Sequence, residues 1–234
     1  ALGGSADKLA SCRWGYFRNS PDVSHIREEK TNRDFNNPVD WIVDSLTLDE
    51  GMMGGWMWLI PRAVFDRCGG WDESLSLNND FDFSIRLLLA SSGVRFAAGA
   101  IYSYREGVSG ALSATHGSKA MESAFATTES GCAALLAREN SSRTRKVCAD
   151  RWRRWQYWFY PERKDLASRA GAHVAELGGS DLRMEGGRLL NVLLPLMGWK
   201  AARTLQTHAY RSGWSSVLKW KTGRRMARIE IGAE

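Results

Sequence analysis

The sequence predicts an α/β protein, with a strand-bearing part over residues 1–115 and a mainly helical part over residues 116–234. Three observations predict it. The run Trp56-Met57-Trp58-Leu59-Ile60 is apolar throughout and lies between Gly54-Gly55 and Pro61, the pattern of a strand covered on both faces. Phe81, Ile85, Leu88 and Leu89 recur soon after at helical spacing. Beyond residue 117 the strand pattern stops and alanine-rich segments with helical periodicity take over.

In chain order, residues 1–19 read as a short helix start and then a strand, because Lys8 to Phe17 gathers apolar and aromatic residues before the Asn19-Ser20-Pro21 breaker. Residues 19–38 are polar and read as a loop. Val39 to Leu46 fits a short helix with Trp41, Ile42 and Leu46 on one face. After the strand at 56–60, Arg62 to Cys68 forms two helical turns that Gly69 and Gly70 end, since glycine accepts the left-handed conformation past a helix C-terminus. Asn78, Asn79 or Asp80 can cap the next helix. Two short strands follow, Val94 to Ala97 and Ile101 to Tyr104. Helices are expected at 118–138, 143–160, 162–177 and 186–211, punctuated by Pro161, Gly178-Gly179, Gly186-Gly187 and Gly198.

At 44% hydrophobic and 25% charged residues, a 234-residue chain can bury a core, so disorder is not expected. Cys12, Cys68, Cys132 and Cys148 are far apart and form no C-x-x-C pair, which argues against a zinc site or a disulfide framework and for a reducing, cytosolic compartment. No stretch approaches the roughly 18 apolar residues that span a bilayer, and the N-terminus lacks signal-peptide features. The net charge of +6 gathers after residue 140 and in Lys219 to Arg228. Such asymmetry attracts phosphate, anionic lipid or nucleic acid, or forms a solvated basic face. Arg151 to Tyr160 is basic and aromatic, as in a single-strand nucleic-acid grip, yet Trp152, Trp155, Trp158 and Phe159 also suit a helix packed on the core. The second reading is preferred, and no nucleic-acid partner is expected. Leu189 to Met197, followed by Lys200 and Arg203, suits a membrane surface or a buried helix.

Asp80 and Asp82 are the sharpest chemical feature. Two carboxylates in the first turn of a helix can take a proton and meet a polar ligand. A bland alternative has Asp80 capping the helix and Asp82 pairing with Arg86 at i,i+4. A metal-binding reading of Asp80-Phe81-Asp82 is weaker, because this pair opens a helix.

The order of short motifs favours the chemical reading. Gly54-Gly55, the 56–60 run, Arg62 with Phe65, Gly69-Gly70-Trp71-Asp72-Glu73, Asn79-Asp80-Phe81-Asp82-Phe83, Arg86-Leu87, Tyr104-Arg105 and Leu112-Ser113 follow one another over about residues 50–115. In that order and spacing they resemble the acceptor half of family 2 glycosyltransferases. The resemblance implies a GT-A (Rossmann-like) fold, here a partial sheet followed by the helical region. It implies an inverting transfer from a nucleotide-diphosphate sugar to a glycan, polysaccharide or lipid-linked acceptor, with Asp80 as catalytic base. By position it assigns substrate contacts to Gly54, Gly55, Trp71, Asp72, Glu73, Asn79, Asp82, Arg86 and Arg105. Asn79 stands where the family has glutamate, and Gly107 where many members have histidine, so no metal ligand is assigned here. A divalent cation, Mg2+ or Mn2+, is expected with ligands mostly outside this chain. The nucleotide-binding half that the family places first has no counterpart before residue 50, so a fragment or split enzyme is expected, and the chain by itself is expected not to transfer sugar. The implied location is the cytoplasm, with peripheral contact at the inner face of the membrane.

Overall fold

Strand β1 (Leu9–Phe17) lies at the centre of a small sheet, between β2 (His25–Arg27) and β3 (Val94–Arg105). The computed structural model describes residues 2–18, 20–21, 25–47, 52–107, 117–184 and 188–212, of which 25, 188–193, 210 and 211 by backbone alone. The division near residue 115, Leu112-Ser113 and the Lys219 to Arg228 tail lie outside the described residues. The architecture is mixed α/β. Seven α-helices accompany the sheet among the described residues: α1 (Pro38–Leu46), α2 (Arg62–Cys68), α3 (Asn79–Leu89), α4 (Ser118–Arg138), α5 (Ser142–Phe159), α6 (Lys164–Glu176) and α7 (Arg188–Arg211).

β2 pairs antiparallel to β1 at Trp14↔Arg27, Gly15↔Ile26 and Tyr16↔His25, whereas β3 runs parallel to β1. The parallel register is Leu9↔Val94 through Cys12↔Ala97 and resumes at Arg13↔Ile101, so Ala98, Gly99 and Ala100 bulge out. The two strands expected at 94–97 and 101–104 are therefore one strand, and the small residues between them are its bulge. Among the described residues no helix precedes β1, because Gly3 and Gly4 take positive φ and turn the chain. β2 escapes a sequence reading because it is too short to show alternation, and β1 supplies its pairing.

The strand expected at 56–60 is not one. Gly55–Met57 is a single 3-10 turn, and Leu59 alone bridges Ala10 in β1. The run is apolar because a turn points Met57 and Trp58 into the core, while Leu59 stays exposed and Pro61 prevents extension. A short apolar run cannot by itself distinguish these cases.

The expected helices form with ends close to those read from the sequence. Asn37 caps α1 by accepting the Val39 N–H at 3.0 Å, with Pro38 in the first turn. Gly69 ends α2 in the left-handed conformation at φ 78°. α5 opens on a capping box between Ser141 and Thr144. α7 contains Pro195 and changes direction at Gly198.

α3 is the central helix. Phe81, Phe83, Ile85, Leu87 and Leu88 are all buried, at roughly 1.5–3 kcal/mol each, which far exceeds the gain from any surface ion pair. They belong to one hydrophobic cluster that runs from Leu9 and Trp41 to Trp152, Phe159 and Val174, on both sides of residue 115. In the basic and aromatic run of α5, Trp152 and Phe159 are buried, with Trp155 and Trp158 packed beside them. On α7, Leu196 is 80% exposed, and among the described residues no helix is long and apolar enough to cross a membrane.

Candidate functional site at the start of α3

Three segments meet at the N-terminus of α3: the Gly54-Gly55 turn, the Gly70 to Glu73 loop after α2, and the hydroxyl-bearing face of α4. Asn78 precedes the helix in the left-handed conformation, φ 65°, which asparagine tolerates better than most side chains. Its amide donates to Thr127 Oγ1 at 2.7 Å and accepts from Arg151 Nη2 at 2.7 Å, tying α3 to α4 and α5.

Asp80 is not the helix cap. Its Oδ1 instead accepts the N–H of Gly55 at 3.0 Å, across the fold. The carboxyl is half-buried, and this desolvation raises its pKa above the ordinary value of 3.8, offset in part by the Gly55 N–H. Among the described residues Oδ2 has no hydrogen-bond partner. A Cβ on Gly55 would lie 2.8 Å from Trp71 Cζ2 and 3.3 Å from Asp80 Oδ1, so only glycine lets the three approach. Gly54 packs against the indole of Trp56, which stacks on Tyr102 at 4.2 Å between ring centroids.

Trp71 lies with one face on Phe83, ring centroids 4.1 Å apart and planes 14° from parallel, and is 41% exposed. Buried Phe83 thus fixes an aromatic platform beside Asp80. A cleft of about 540 Å³ is lined by Gly70, Trp71, Asp72, Glu73 and Ser130, with Asp82 and Arg86 in its wall; Trp71 is the link to Asp80, since Asp80, Gly54 and Gly55 do not line this cleft.

Asp82 and Arg86 form the i,i+4 pair that their spacing suggests. Arg86 Nε and Nη2 donate to Asp82 Oδ2 at 3.0 and 2.6 Å, and Ser130 Oγ donates to Oδ1 at 2.5 Å. Arg86 Nη1 reaches the carbonyls of Cys68 and Gly70 at 2.5 and 2.8 Å. Asp82 is only 5% exposed while Arg86 is partly exposed, so loss of the arginine would leave a largely buried carboxylate without its charge partner. The two side chains therefore hold the loop that carries Trp71.

The other sequence-derived positions are less gathered. Asp72 is exposed and accepts the hydroxyl and the N–H of Ser74, which lower its pKa in that order of effect. Glu73 lies exposed at the rim of the cleft. Asn79 is the first residue of α3 and is half-buried. Arg105 stands at the end of β3 with its guanidinium over Phe17 at 5.3 Å, and among the described residues no hydrogen bond or ion pair joins it to Asp80. Asp72, Glu73, Asp80 and Asp82 do not converge: the described residues hold no group of three His, Cys, Asp or Glu placed to bind a metal.

The sequence reading missed the contribution of α4. Ser123 accepts the Ser76 N–H at 2.7 Å and donates to the Leu77 carbonyl at 3.1 Å, Thr127 holds Asn78, and Ser130 holds Asp82. Their positions, i, i+4 and i+7, form one helical stripe of small hydroxyls, and that spacing was the available signal.

Comparison of the chain with protein-family models, with curated proteins and with solved structures returns no match in any of the three.

Proposed function

We propose that the chain carries the acceptor side of an inverting glycosyltransferase that uses a nucleotide-diphosphate sugar, with Asp80 as the general base. The observation that supports this most is the setting of Asp80: a half-desolvated carboxylate, one oxygen fixed by the Gly55 N–H at 3.0 Å, at the edge of an exposed indole. The motif order over residues 50–115 supports the family 2 reading, and the parallel β1–β3 pair fits the acceptor-side remnant of a Rossmann-like sheet.

In this reading a sugar ring of the acceptor stacks on Trp71, which places one hydroxyl beside Asp80. Asp80 Oδ2 takes the hydroxyl proton as that oxygen attacks the anomeric carbon. The new C–O bond forms while the bond to the diphosphate breaks on the opposite face, so the configuration inverts. A raised carboxyl pKa makes the base stronger for this late proton transfer. Asp82, Arg86 and Ser130 position the Trp71 loop, while Asp72, Glu73 and Asn79 supply polar contacts at the rim. Arg105 is a cation for the departing diphosphate. A divalent cation, when bound, would supply further charge neutralisation there, but the described residues do not form its site and no step is assigned through it. The four free cysteines suit the cytoplasm as the place of work.

The test is Asp80→Asn in the full-length protein, assayed against a panel of nucleotide sugars. Turnover should fall by about 10²–10⁴-fold with donor affinity unchanged, and a near-normal rate would remove Asp80 from the mechanism.

A further inference from the structure

The cleft of about 540 Å³ beside Trp71 is formed by the loop after α2 and one face of α4. Trp71, Asp72, Glu73, Leu75, Ala126 and Ser130 line it. Its volume lies inside the range of about 300–1,000 Å³ usual for whole small ligands, so it is large enough to seat a ligand group of its own. Trp71 belongs both to this cleft and to the surroundings of Asp80. A Cβ on Gly55 would lie 2.8 Å from Trp71 Cζ2 and 3.3 Å from Asp80 Oδ1, so one edge of the indole adjoins the carboxylate. Asp80 itself does not line the cleft. A ring seated there therefore presents no hydroxyl to Asp80, and a ligand that uses both places extends along the indole.

Charge selects among the ligands that fit. All three guanidinium nitrogens of Arg86 are engaged, two by Asp82 and one by the Cys68 and Gly70 carbonyls. Asp82 and Arg86 thus neutralise each other in the wall. Asp72 and Glu73 are exposed, and among the described residues neither joins an ion pair. Asp72 Oδ1 accepts the N–H and the hydroxyl of Ser74 at 2.9 and 2.6 Å, while its Oδ2 has no hydrogen-bond partner among the described residues. Ionised carboxylates accept hydrogen bonds and donate none, so this pair suits a ligand rich in hydroxyl donors and repels one that carries carboxylate or phosphate. A saccharide ring meets the remaining demands, with one apolar face for the exposed indole and for Leu75 and Ala126, and hydroxyls at its rim.

We infer that this cleft seats the penultimate ring of an uncharged oligosaccharide, so that the acceptor is a glycan of two or more rings and not a single sugar or an anionic one. Binding in the cleft stands on the lining; that the bound glycan is the sugar acceptor rests on the Asp80 reading. The terminal ring then lies on Trp71 with a hydroxyl beside Asp80, and the ring before it meets Asp72 and Glu73.

The experiment screens the full chain against neutral di- and trisaccharides of glucose, galactose, mannose and N-acetylglucosamine, the four monosaccharides, and uronate-bearing disaccharides. Those retained are titrated by tryptophan fluorescence, since Trp71 lines the cleft. At least one neutral oligosaccharide should bind about tenfold or more tightly than any monosaccharide. It should also exceed the uronate-bearing disaccharides by about fivefold or more at low ionic strength, a gap that narrows as salt is added. Trp71→Ala should weaken this binding about tenfold. The double variant Asp72→Asn with Glu73→Gln, at two exposed positions, should keep the melting temperature and lose the discrimination against uronates. Retention of no neutral oligosaccharide, equal affinity for a monosaccharide, or unchanged discrimination in the double variant would overturn the inference. Because no transfer is measured, any of these results leaves Asp80 as the base. Conversely, oligosaccharide binding that persists in Asp80→Asn supports the cleft whether or not turnover is lost.

Discussion

Asp80 and Gly55 hold each other through a single hydrogen bond, and the carboxylate bears a desolvation cost that an amide would not. Because burial raises the folded-state pKa above 3.8, the folded chain keeps this proton to higher pH than the unfolded chain does. The group is therefore neutral toward stability below its ordinary pKa and becomes destabilising as pH rises through the folded value. Asparagine can still accept the Gly55 N–H but carries no charge. Asp80→Asn should raise the melting temperature at neutral pH by roughly 1–3 °C, and the difference should vanish on acidification below about pH 4. Calorimetry across that range checks it. A variant less stable than wild type at neutral pH would mean that the carboxylate is structural. Asp82 is the contrast at the same helix end, with both oxygens engaged by Arg86 and Ser130. The Asp82–Arg86 pair was legible because its partners are one turn apart, whereas the Asp80–Gly55 bond joins distant residues that no local pattern connects.

Among elements, α3 depends on close approach from both sides. Gly131 of α4 sits where a Cβ would come within 2.5 Å of the Phe81 ring, so the two helices pack nearly backbone to ring. At the other end Gly93 leads into β3 with φ 147°, and a Cβ there would lie 2.4 Å from the Phe35 carbonyl. That carbonyl accepts the Val94 N–H at 2.8 Å and the Phe35 N–H returns the bond at 2.8 Å, while the Gly93 carbonyl receives the Leu9 N–H at 3.0 Å. Gly93→Ala should therefore disturb both pairings and cost about 2–4 kcal/mol, read as a fall in the urea midpoint. A loss under about 0.5 kcal/mol would show that the bridge adapts. Helix ends were legible because caps and breakers such as Asn37, Gly69 and Ser141 act within a few residues. The sheet was not, since the partners of β1 lie at 25–27, at 59 and at 94–105, and long-range pairing leaves no periodic trace.

At the scale of the whole molecule, one hydrophobic cluster joins the sheet to α6, and Arg143 clamps α5 to α1 through Asp40 at 2.7 Å while pairing with Glu139. Stabilised by these bonds, the Glu139 carboxyl falls to about 2, with Arg143 the largest cause. The change from strand-bearing to helical sequence near residue 115 is therefore a change of local pattern across which the core continues. That distinction was hidden because periodicity reports which face of an element is buried and not what covers it. The bulge at Ala98, Gly99 and Ala100 has its own consequence at this scale. Among the described residues β3 is an edge strand with Ile101 56% exposed, a combination that invites a neighbouring chain to add a strand. Three small residues left unpaired with β1 in its middle break the repeat that such an addition needs, so the insertion should disfavour it. Removing all three should leave a straight edge and produce concentration-dependent self-association, visible by light scattering at high protein concentration. On this argument the edge is interrupted by a stretch of sequence that carries no large side chain.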